Sequence, residues 1–168
     1  MEIGTIYLES AISRFREYKT LGDKTIAQLT EEDLFFQPND SSNSIAVIIQ
    51  HVHGNMLSRW TNFLEEDGEK TWRQRDEEFE VHKISKEYLI QIWEEGWAVL
   101  FNTLGTLKTE DLSRQVTIRL QPLTVIDAIN RQLAHYSMHV GQIVYLGKWI
   151  KGAQWTTLSI PKKKIEKH

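Results

Sequence analysis

"TVIDAINRQLAHYSMHVGQIVYLGKWI", Thr124 to Ile150, decides how the rest of the chain is read. Ile129, Leu133, Tyr136, Val140, Ile143 and Ile150 recur at helical spacing and form one apolar stripe. Thr124 precedes the stripe as an N-cap, and Pro122 just ahead fits the start of a helix. A residue advances about 100° per position, so His135 and His139 lie about 40° apart, one turn removed. Both sit at the edge of the stripe, on the same side of Tyr136. Two imidazoles so placed can offer nitrogens to one ion, or they can simply form a polar edge.

Three further segments have the same periodicity. The first runs from about Ile3 to Leu29, with Leu8, Ile12, Phe15, Ile26 and Leu29 on its stripe. Gly22 lies on that stripe, where a missing side chain lets a neighbour approach. The second begins after "NDSSNS", capped by Asn43 or Ser44, and carries Ile45, Ile48, Ile49, Val52, Met56, Trp60 and Phe63. "EEDG" is expected to end it, with Gly68 as the stop. The third is capped by Ser85 and carries Leu89, Ile92, Trp93, Gly96, Leu100 and Leu104. "VTIRL", Val116 to Leu120, alternates as a short strand or extended link would.

Four amphipathic helices bury their stripes most simply as an all-α four-helix bundle. The connections between helices one and two, and three and four, are long, which allows an order other than simple up-and-down. "LTEEDL" (Leu29–Leu34) and "LKTEDL" (Leu107–Leu112) match at four of six positions. Thr30 and Thr109 are candidate caps of a single helical turn in each. Two hairpins related by approximate symmetry give this pattern; a recurring capping phrase gives it too.

The 168 residues fit one domain, residues 1–168, in which 155–168 read as a C-terminal extension. A hydrophobic share of 40% with 26% charged is that of a globular protein rather than a disordered one. The longest apolar runs, Ile45–Ile49 and Trp97–Phe101, fall far short of the ~18 residues of a membrane span. "MEIGTIYLESAISRF" has no basic leader or apolar signal core, so a cytoplasmic protein is expected. A net charge of −3 argues against a nucleic-acid footprint, and the basic "PKKKIEKH" reads as a solvated tail. Cysteine is absent, so any thiol chemistry must draw its sulfur from a substrate or cofactor.

Of the six histidines, His82 falls in a charged linker and His168 is terminal. A metal held by His135 and His139 needs a third ligand, and "QHVHGN" offers His51 and His53. They point about 160° apart, so both cannot readily serve one ion. Periodicity puts His53 nearer the stripe centre and His51 on its flank. A flank position can still face inward in a bundle, so spacing leaves the choice open.

"NSIAVIIQHVHGNMLSRWTNFLEEDGEKTWRQRDEEFE", "INRQLAHYSMHVGQIVYLGKWIKG" and "WTTLSIP" together resemble the DinB-like superfamily of metal-binding four-helix bundles, which includes thiol-dependent transferases. The closer likeness is to a bacterial branch labelled as a domain of unknown function. The resemblance implies that His51, His135 and His139 hold one divalent ion: zinc, nickel or iron. It also implies a homodimer.

Three imidazoles leave coordination positions open, as working sites do. Water taken there would make a hydrolase; a low-molecular-weight thiol would make an S-transferase. The resemblance favours the transferase, acting on a small molecule. A non-catalytic metal-binding or dimerisation bundle is the alternative. Asn55 and Gln142 are candidates to hydrogen-bond the ligands from behind, or to satisfy backbone groups instead. Arg73 and Arg75 could anchor an anionic substrate; a surface salt-bridge patch with Asp76, Glu77 and Glu78 is the preferred reading. Trp60, Trp72 and Trp93 are read as core.

Overall fold

The computed structural model describes residues 2–80 and 84–160. His82, His168 and the basic tail from position 161 lie outside the described residues. The main elements are α1 (Ile3–Ile26), α2 (Glu31–Phe35), α3 (Ile45–Trp60), α4 (Lys86–Thr106), β1 (Gln115–Ile118), β2 (Gln121–Thr124) and α5 (Val125–Lys151). The four long helices form a bundle, as the stripes predict.

The expected caps are in place. Ser44, Ser85 and Thr124 each accept a backbone N–H three residues on, from Val47, Tyr88 and Asp127. One helix end departs from expectation. α3 stops at Trp60, not at Gly68, because Thr61 turns extended and Asn62 takes a positive φ of 49°. The hydroxyl of Thr103 donates to the Trp60 carbonyl at 2.8 Å, satisfying an acceptor that the ended helix leaves open. α1 likewise ends at Ile26, and Leu29 packs from the turn beyond it.

Contacts along the helices fix their directions. Tyr7 hydrogen-bonds Ile126 and Asn130, and Thr25 meets Gly147, so α1 and α5 run parallel. His53 meets Glu95, and Trp60 meets Thr103, so α3 and α4 also run parallel. Lys19 pairs with Glu94 and Trp93 with Asp23, which makes α1 and α4 antiparallel. α3 and α5 are antiparallel as well. The two long connections foreseen from the sequence each return at one end of the bundle. The remaining one, from Trp60 to Lys86, is the connection that breaks up-and-down order.

Both repeat segments form one short turn at opposite ends of the bundle. In each, an aspartate accepts the N–H three residues earlier at 2.9 Å: Asp33 from Thr30, Asp111 from Lys108. Leu34 and Leu112 are buried at the ends. Thr30 also caps its turn, from Asp33 N–H at 3.2 Å, whereas Thr109 lies within its turn and faces Thr5.

β1 and β2 form a two-stranded antiparallel hairpin. The sequence reading takes Val116–Leu120 as one extended piece, but Arg119 and Leu120 are the turn, with φ of 54° and 61°. Neither is the glycine or asparagine that such a turn favours. Asp67, from the distant α3–α4 connection, accepts both N–H groups at 2.9 and 2.8 Å and holds the turn. Pro122 sits in β2 opposite Thr117 rather than at the helix start.

At the centre, each long helix contributes one aromatic ring: Phe15, Trp60, Trp97 and Tyr136, all at most 1% exposed. Phe15 lies 6.1 to 6.5 Å from the other three. Trp93 occupies the space that Gly22 leaves, so a methyl group there would collide with the indole. Trp60 and Trp93 are core as expected; Trp72 is half exposed. Trp155 and Thr156 dock on the bundle, with Thr156 N–H donating to Gln28 at 2.8 Å. Among the described residues no helix is long and apolar enough to cross a membrane.

Candidate metal centre

Tyr136 sets the rotation of α5. Its hydroxyl is buried between Trp60 Nε1–H, which donates to it at 3.1 Å, and Asn55 Oδ1, which accepts from it at 2.9 Å. With that ring at the bundle centre, His135 and His139 turn together to one flank, toward α3. Asn55 marks the facing flank of α3, and His51 lies four residues earlier on it. His53 points to α4 instead, where Nε2 is 3.1 Å from Glu95. The histidine left open by spacing is therefore His51.

His135 Nε2 lies 3.0 Å from His139 Nε2 and 3.4 Å from His51 Nε2. One ring nitrogen of each residue lies within 4.8 Å of the others. Tetrahedral sites with Zn–N bonds of ~2.0–2.1 Å place their nitrogens about 3.3 Å apart. The spacing fits a single ion.

The outer nitrogens explain why the inner ones are bare. His51 Nδ1–H donates to Glu78 Oε2 at 2.9 Å, and His139 Nδ1–H donates to Gln142 Oε1 at 2.9 Å. Each bond fixes the tautomer that leaves a lone pair on Nε2. Burial, reinforced by the neighbouring imidazoles and by Arg59 and Arg73, pushes His135 down to about 3. Burial also lowers His139. Three ring nitrogens crowd together, and a proton on His135 Nε2 satisfies only one of its two neighbours. A shared cation satisfies all three.

Glu78 is itself gripped. Arg73 donates to its two oxygens at 2.7 and 2.8 Å, and both side chains are nearly buried. Burial alone would raise the Glu78 carboxyl; Arg73 and His51 outweigh it and hold it below the usual carboxylate range. Gly54 lets the Asp76–Phe79 turn approach, because a methyl group there would strike Glu78. The Arg73–Glu78 pair is thus an interior support of His51, not the surface patch expected. Arg75 does match that expectation, at 3.5 Å from an exposed Asp76. Gln142 backs His139, whereas Asn55 serves Tyr136.

A cavity of about 220 Å³ reaches the centre and is lined by His51, His135, Asn55, Gln132 and five arginines: 59, 73, 75, 119 and 131. A larger one of about 470 Å³ opens beyond Gln142, against Ile48, Tyr145, Leu146 and Trp149. The smaller cavity bears on the chemistry, because two of the three imidazoles form its wall.

The family described as "Protein of unknown function (DUF1572)" matches residues 2–164. The chain belongs to this family. Among solved structures, the DUF1572 chain is similar to the crystal structure of a conserved protein from Enterococcus faecalis. The TM-score is 0.65 at 19% identity, over 90% of this chain and 99% of that one. At that identity the likeness speaks for the fold alone. No curated protein matches the chain.

Proposed function

We propose that this DUF1572 chain is a metal-dependent enzyme acting on a small molecule, a thiol-dependent S-transferase or a hydrolase, related to the DinB-like bundles its sequence resembles. One observation carries the reading: three imidazoles converge on a point that an open cavity reaches. A purely structural site has no need of that access. His51, His135 and His139 are the ligands, and zinc, nickel or iron suits three imidazoles. When bound, a divalent ion there supplies Lewis-acid activation of a coordinated oxygen or sulfur.

The chain's own residues then do the positioning. Glu78 keeps the proton of His51 on Nδ1, and Arg73 keeps Glu78 ionised and fixed. Gln142 does for His139 what Glu78 does for His51. Tyr136, fully buried with its ring 5.4 Å from that of His135, closes the site toward the bundle core. With no cysteine in the chain, a transferase takes its thiol from solution.

The homodimer belongs to the same proposal. Met138, Tyr145 and Trp149 share one face of α5 and stand 54%, 72% and 54% exposed, an apolar strip suited to a second copy. Sedimentation of the protein tests this.

Activity is tested by loading the untagged protein separately with zinc, nickel and ferrous iron. Each form is assayed against small thiols paired with electrophiles, and against esters and amides alone. Turnover by the wild type that disappears in His139→Ala supports the proposal. Metal binding without turnover across those panels favours the non-catalytic bundle.

A further inference from the structure

The cavity beside the histidines has an unusual wall. Five arginines line it, and among the described residues no carboxylate residue does. Behind the wall, Glu69 is shared by Arg59, Arg73 and Arg119, and Glu78 is taken by Arg73 and His51. Those two carboxylates cannot neutralise five arginines. Among the described residues Arg131 has no carboxylate partner, and Arg75 reaches only a fully exposed Asp76 at 3.5 Å. Arg131 lies one helical turn before His135, on the same face of α5.

Two buried polar atoms in the same wall also lack partners among the described residues. Gln132 is 3% exposed and its Oε1 accepts nothing; Arg59 is 6% exposed and its Nε–H donates to nothing. Buried donors and acceptors are rarely left so in a finished interior. The arginine side chains are also placed at a cost. Arg119 stands in a positive-φ turn that Asp67 holds, and Arg59 is buried against the Gly68 carbonyl and Glu69.

We propose that this cavity seats an anionic group of the substrate, a carboxylate or a phosphate, held by Arg75, Arg119 and Arg131 next to the histidine centre; this rests on the reading of that centre as catalytic. Planar guanidinium groups match both anions through paired N–H donors. At about 220 Å³ the space is smaller than the ~300–1,000 Å³ of drug-sized pockets, so it takes an anionic head and leaves the rest of the molecule outside. Arg59 Nε–H gives a further donor to such an oxygen. Gln132 Oε1 accepts from a hydroxyl, whether on a monoprotonated phosphate or beside a carboxylate.

The test is calorimetric titration of inorganic phosphate, and separately of succinate, into the full chain stripped of metal by a chelator. Saturable binding with a Kd of about 1 mM or tighter is expected for at least one of them. The tighter of the two names the anion class. Arg131→Gln and Arg75→Gln, both at exposed positions, should each weaken it about tenfold, while the surface control Arg14→Gln leaves it unchanged. His139→Ala should keep it. No saturable binding of either anion, or affinity unchanged in the Arg75→Gln/Arg131→Gln double variant, overturns the inference. Anion binding by a chain that takes up no metal would remove the enzyme reading and leave the anion site standing.

Discussion

The Glu78 carboxylate accepts the Nδ1–H of His51 at 2.9 Å, joining a loop to a helix 27 positions away. The loop thereby orients a histidine it does not contain. Glu78→Gln keeps the shape and loses the charge, so metal affinity should fall about 10- to 100-fold with the fold intact. Competition against a chromophoric chelator measures this, with circular dichroism as the check on folding.

Gly54→Ala separates the support of His51 from helix stability. Alanine favours a helix interior by about 1 kcal/mol over glycine, yet the new methyl group pushes Glu78 away. Metal affinity should drop about tenfold while the melting temperature of the metal-free protein stays level or rises. A parallel fall in both would mean that Gly54 matters for packing alone.

Tyr136→Phe removes the hydroxyl that pairs Trp60 with Asn55 and leaves both partners buried without it. A loss of about 1–3 kcal/mol in urea unfolding is expected. Metal stoichiometry should hold, because the ring still sets the rotation of α5.

Asp67 makes stability depend on acid. Burial alone would raise its carboxyl, but the N–H groups of Glu69, Leu120 and Arg119 outweigh burial and hold it at about 2, against 3.8 ordinarily. A folded value below the unfolded one gives stability that is complete above about pH 4 and is lost as pH falls through about 2. The stability gap between wild type and Asp67→Ala should therefore be constant at higher pH and narrow toward pH 2, followed by urea unfolding at each pH. Leu120→Gly, at the same turn, should add about 1 kcal/mol by relieving the positive φ.

The bundle could be read from the sequence because its signals are local. Ser44, Ser85 and Thr124 cap the helices they precede, and the stripes they open are the buried faces. The choice between His51 and His53 was not local. α3 packs against both α4 and α5, so its apolar stripe averages two directions and its centre falls toward α4, where His53 meets Glu95. The resemblance pointed to His51, and the Asn55–Tyr136 bond shows why that flank faces α5.

Glu78 was hidden for a related reason. "RDEEFE" has the composition of a solvated acidic run, and only the return of that segment onto α3 buries one of its carboxylates. The hairpin turn was hidden too, since Arg119 and Leu120 carry no turn signal of their own and rely on Asp67.

The central claim is that His51, His135 and His139 share one cation, and elemental analysis tests it most directly. The untagged chain, reconstituted with a divalent metal and desalted, should retain about one ion per chain, and His139→Ala, folded by circular dichroism, should retain almost none. A wild-type chain that keeps no ion, or a variant that keeps a full equivalent, would contradict the claim.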